Sequence, residues 1–162
     1  MQISEMIYRL RIILDSEEDV IRDIEIKSDS SFEDLHFAII NSFNFIGNEM
    51  ASFYLSDINW SQGEEITLES FTDQKIMKNT NLDSIISDTQ LNFIYVYDFL
   101  KLWTFFIEVI ETCDDNKNSI YPQTIFSIGM IPKNAPEKRF EEDKVESDNI
   151  DYCEDEDLKN YY

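Results

Sequence analysis

Glycine, proline, cysteine and histidine are all scarce in this chain of 162 residues. Three scattered glycines cannot build a phosphate-cradling loop, which needs several within a few positions. They also leave tight turns to Asn, Asp and Ser, which bond their own main chain or tolerate left-handed backbone. Two cysteines, Cys113 and Cys153, are too few and too far apart for a disulfide framework. They read as free thiols in a reducing cytoplasm. A single histidine, His36, without clustered cysteines offers no zinc site and no local Ser-His-Asp set. No metal, cofactor or catalytic residue is therefore expected. Apolar runs fall far short of the ~20 residues that span a bilayer, and the start has neither a basic stretch nor a long apolar one. No membrane partner and no signal peptide are expected.

Positive charge is the other shortage. Thirteen Lys and Arg stand against 34 Asp and Glu, a net of −21. Residues 141–162 hold ten acidic and two basic residues, a net of −8, which leaves −13 on the rest. Duplex nucleic acid is bound chiefly through Lys and Arg. Direct duplex DNA binding is not expected, and solubility is the simplest consequence of the charge.

Hydrophobic residues make up 43% of the chain, enough for a packed domain, and the length suits one. The expected division is a single α+β domain over residues 1–136 and an acidic, flexible tail over 137–162. Ile150, Tyr152, Leu158, Tyr161 and Tyr162 within that tail offer anchors for a protein partner.

Residues 6–14 and 20–27 alternate apolar and polar side chains and predict a hairpin. Ser30, with Glu33 three residues on, is a capping-box pattern that opens a helix to Phe43. Phe32, Leu35, His36, Ile39, Ile40 and Phe43 fall on one helical stripe. A third strand is expected over 51–56, then a polar segment over 57–65. Residues 66–71 fit either a strand or a helical turn, and 82–86 read as a short helix. Residues 91–99 and 103–109 predict adjacent antiparallel strands under the helix, the first buried on both faces. Residues 121–129 have the composition of a last strand.

Several of these segments carry a family resemblance: Tyr8 to Ile12, Ile21 to Ile26, Phe32 to His36, Phe43 to Phe45, and Tyr95-Val-Tyr-Asp-Phe99 with Trp103 and Phe106 to Glu108. Over roughly residues 7–136 the chain resembles the Ri-plasmid open-reading-frame-three-like family, also labelled a passenger of transposable elements. The family's Phe-Gly-Trp is Phe43-Asn44-Phe45 here, and the Gly-Asp after its Tyr-x-Tyr-Asp-Phe is Leu100-Lys101. The apolar scaffold is kept while the polar loop residues differ. The resemblance implies a bacterial protein and a compact α+β fold: a mostly antiparallel sheet with one main helix packed on it, β-β-α-β-α-β-β, ubiquitin or β-grasp-like. It implies no reaction.

Candidate binding residues follow from chemistry. His36 could act as a base or ligand, or as a core histidine bonded to its surroundings. Asp98, with Lys101 three residues on, could be a site carboxylate, or could cap its turn's amides. Arg9, Arg11 and Arg22 could form a basic strip across the first hairpin, or cross-strand ion pairs with Asp23 and Glu25. Asp57-x-Asn59-x-Ser61-x-Gly63 starts like a calcium loop, but Gln62 and Leu68 stand where glycine and a bidentate Glu are needed. The aromatic residues from Phe93 to Phe105 could stack bases, but their surroundings are acidic, so they read as core. The expected function is a non-enzymatic interaction module. An acidic mimic of nucleic acid is the alternative, and an enzyme the last choice.

Overall fold

The computed structural model describes residues 6–69 and 75–136. The elements run β1 (Met6–Leu14), β2 (Ile21–Lys27), α1 (Phe32–Phe43), β3 (Ala51–Leu55), β4 (Glu65–Thr67), β5 (Lys75–Ile76), β6 (Asn92–Tyr97), β7 (Trp103–Asp114) and β8 (Gln123–Ile128). The expected tail, with Cys153 and its aromatic anchors, lies outside the described residues.

All eight strands join in one sheet, ordered β5-β4-β3-β6-β7-β1-β2-β8. Each pairing is antiparallel except that of β4 with β5, which is parallel. This corrects the expected ubiquitin-like fold. The domain is dominated by a wide, mixed sheet and has one helix among the described residues. β4 and β5 are three and two residues long, too short to leave a period-two signal, and they form only by pairing across sequence. The helix expected over 82–86 is a 3₁₀ turn, Leu82–Ser84.

The helix starts one residue later than expected. Ser31 Oγ accepts from the Asp34 amide at 3.1 Å, and Asp34 Oδ2 accepts from the Ser31 amide at 2.9 Å. Ser30 belongs to the preceding turn, where its amide donates to the Lys27 carbonyl. Asn44 closes the helix in left-handed backbone, φ 62°, the job usually given to glycine. The expected stripe is buried, with Phe32 edge-on to Phe53 at 5.1 Å and Phe43 against Phe105 at 4.8 Å.

β6 and β7 pair antiparallel, setting Phe93 opposite Ile107, Tyr95 opposite Phe105 and Tyr97 opposite Trp103. Their inward side chains, with those of β1 and β3, form the core under α1. β6 stops at Tyr97, short of the expected Phe99, because Asp98 turns left-handed at φ 66°. β7 runs on to Asp114, well past Val109, because β1 offers it a nine-residue partner. A bulge at Ile110 sets Glu111 across from Arg9.

On the far side of the sheet from α1 lie Arg9, Arg11, Asp23, Glu25, Phe106 and Glu108, with Trp60 resting on Phe106 at 5.0 Å. β8 is one edge of the sheet, and it ends at Gly129, φ 75°. A Cβ there would lie 2.1 Å from the Asp19 carbonyl oxygen, so only glycine fits.

Candidate functional site

The residues singled out by chemistry do not converge. His36 is fully buried beneath α1, and its Nδ1 lies 2.7 Å from the Tyr95 hydroxyl. Its Nε2 has no partner among the described residues. Burial pushes the imidazole pKa down from 6.5 to about 4 and holds the Tyr95 phenol well above 10.0. Both are neutral at physiological pH and out of reach of a substrate.

Asp98 organises the β6–β7 turn. Its Oδ1 accepts from the amides of Leu100 at 3.1 Å and Lys101 at 3.2 Å, and its carbonyl accepts from the Leu102 amide. The Lys101 side chain is exposed. Asp57 works in the same way. Its Oδ1 accepts from the amides of Asn59 and Ser61, and the bond from Ser61 is the main cause that lowers its pKa. The calcium-like pattern is therefore a backbone turn.

The basic strip splits between the two faces. Arg11 grips Asp23 through two bonds, 2.9 and 2.8 Å. Arg9 bonds Glu25, at 2.7 Å in the shorter contact, and also Glu111. Both guanidinium pKa values rise, chiefly through those side-chain bonds to Asp23 and Glu25. Gln123 of β8 adds a 3.0 Å bond to Glu25. Register puts Arg22 on the other face, opposite Ile12, so it cannot join Arg9 and Arg11. There its guanidinium lies 4.9 Å over the Phe43 ring and donates to the carbonyls of Ile21, Ser42 and Ile128. Burial lowers its pKa. α1 has no basic residue in its last turn, and Arg22 brings a positive charge to that negative end from the neighbouring strand.

Arg22 thus ties the end of β8 to β2 and α1. Arg22→Met should loosen β8 before it unfolds the domain. The expected loss is about 1.5–3 kcal/mol, with faster amide exchange over residues 123–128 than in the core, as for lost bonds to a charged donor. Uniform acceleration across all strands would contradict this.

The remaining unexplained feature is β8. Its sequence, Gln-Thr-Ile-Phe-Ser-Ile, has no charge, and Ile125, Phe126 and Ile128 are each 40–43% exposed. Residues 118–132 contain no Asp, Glu, Lys or Arg in a chain that is 29% charged. The opposite edge, β5, is two residues long and carries Lys75, which pairs with Glu64 at 3.5 Å. Among the described residues, one edge of the sheet is short and charged, the other longer and uncharged.

Residues 6–136 match the plasmid pRiA4b ORF-3-like protein family. The chain belongs to this family. A solved structure, described as a protein of unknown function from Methanosarcina mazei Go1, shares the fold of the ORF-3-like chain at 18% identity. Its TM-score is 0.69, over 77% of this chain and 71% of that one. No curated protein matches.

Beside β8, the ORF-3-like domain has a groove of about 140 Å³ lined by Ile24, Ala38, Asn41 and Ser42 and by Pro122, Gln123 and Thr124. Thr124 Oγ1 and Ser42 Oγ lie 3.0 Å apart across it. The lining offers amides and hydroxyls but no acid–base group. Among the described residues no three His, Cys, Asp or Glu gather as a metal site, and no helix is long and apolar enough to cross a membrane. Cys113 is a free thiol whose pKa burial raises. Sequence reasoning overlooked Ile125, Phe126 and Ile128 as a surface. The signal it could have used is the charge-free run around them.

Proposed function

We propose that this ORF-3-like domain is a non-enzymatic binding module of the bacterial cytoplasm that accepts an extended polypeptide strand along β8. The observation that carries this reading is the contrast between the two sheet edges. Proteins blunt exposed edges with charge, shortness or cover, because unpaired strand amides and carbonyls template further pairing. β5 is blunted by both shortness and charge; β8 has neither, and its one irregularity is a bulge at Ile125 in the ladder with β2. Strand addition draws affinity from main-chain bonds and selectivity from alternate side chains, which here would meet Phe126 and Ile128 on one face and the Ser42–Thr124 groove on the other.

The acidic-mimic alternative has weaker support, since Asp23, Glu25 and Glu111 are occupied by arginines rather than ranged free like phosphates. Peptide display on the full chain separates the two. The strand reading expects β-branched, uncharged or basic peptides, with binding weakened at least tenfold by Ile125→Lys, the outcome for a charge set into an apolar contact. A mimic would bind basic proteins in a way that salt abolishes and Ile125→Lys leaves alone. Failure to enrich any peptide while the chain is monomeric would overturn the strand reading.

A further inference from the structure

We infer that the strand received at β8 is the β8 of a second copy of this chain, added antiparallel across a twofold axis. This rests on the strand-capture reading and names its partner. A twofold interface must be self-complementary, the same patch meeting itself. A strand paired antiparallel with its own copy satisfies that by construction, provided no like charges face each other. Gln123 to Ile128 meets that condition, because every residue in it is neutral.

Net charge narrows the choice further. Two chains of −21 repel, and contact through carboxylate-bearing surface would add close like-charge pairs. Contact through residues 118–132 adds none. What remains is longer-range repulsion, which salt screens beyond about 8 Å at physiological strength. The twofold would also bring Ile125, Phe126 and Ile128 of each copy beside those of the other, covering apolar side chains now exposed. The chain's own residues 137–162 are a poorer occupant by composition. Eleven side-chain carboxylates in that segment would have to lie along or near a neutral, apolar strand.

Sedimentation velocity of the full chain, over a wide range of concentration and at low and high salt, tests the inference. The expected result is a reversible rise from 19.2 kDa to twice that mass, with the dimer tightening as salt increases. Amide exchange over residues 123–128 should slow as the dimer fills. Ile125→Lys and Phe126→Lys should each return a folded monomer, checked by circular dichroism. Ile58→Lys, at an 85% exposed apolar position in the β3–β4 loop, should leave the dimer intact. A monomer at every concentration, a dimer that survives both β8 lysines, or one that weakens with salt would overturn the proposal. So would slow exchange at 123–128 independent of concentration, the mark of an intramolecular occupant. If the monomer still binds displayed peptides in a manner sensitive to Ile125→Lys, self-pairing alone has failed; if it binds none, strand capture has failed too.

Discussion

Trp103→Ala should remove about 3–5 kcal/mol of stability, the range for large aromatic truncations in a core. Trp103 opens β7, is 6% exposed, and packs at 5.2 Å from Phe45 while facing Tyr97 across the ladder. Phe45 in turn stacks on Tyr97 at 4.6 Å, and the Tyr97 hydroxyl accepts from the Gly47 amide at 2.9 Å. The cavity would therefore open where the chain leaving α1 is held to the sheet, and neighbouring rings bound on several sides cannot easily collapse into it. Against a whole-domain stability of roughly 5–15 kcal/mol, such a loss is large. Urea titration should show a lower midpoint with unchanged slope. Trp60→Ala is the control: that ring rests on Phe106 on the other face and is partly exposed, so its removal should cost far less. A loss below about 1 kcal/mol at Trp103, outside the range for core rings, would contradict the packing described.

The second large effect is a pH dependence owed to one residue. Folded His36 has its pKa lowered from 6.5 to about 4 by burial. Between those values the unfolded chain binds a proton that the folded chain does not. Stability from His36 is thus fully present above pH 6.5 and is lost as pH falls toward 4, by about 1.4 kcal/mol per unit and roughly 3 kcal/mol in all. Asp and Glu side chains titrate at the acid end of the same range, so the comparison must be with His36→Phe. That variant should be flatter between pH 6.5 and 4, with a constant offset for the lost bond to Tyr95. Parallel curves, or a nuclear magnetic resonance titration of His36 near 6.5, would refute the assignment.

Much of the local structure is legible in the sequence alone. The apolar stripe Phe32 to Phe43 marks a helix, and the alternation over β1, β2, β6 and β7 marks strands, because each period depends only on near neighbours. The role of Asp98 as a turn cap is among the roles its sequence position allows for the same reason, since its partners lie two and three residues away. The family, too, could be read from such segments.

Tertiary structure decided what neighbours along the chain cannot. β4 forms on the ladder that β3 offers and β5 on that of β4, and the parallel β4–β5 pairing makes the sheet mixed rather than ubiquitin-like. Arg9, Arg11 and Arg22 have the same charge in the sequence. Only the register of β1 against β2 sends Arg22 under α1 while Arg9 and Arg11 meet Glu25 and Asp23 on the other face. The edge position of β8 is likewise invisible locally, since an uncharged apolar strand reads the same in the middle of a sheet as at its margin. Composition made residues 118–132 neutral. Among the described residues, the strand order placed part of that neutral run at the edge of the sheet.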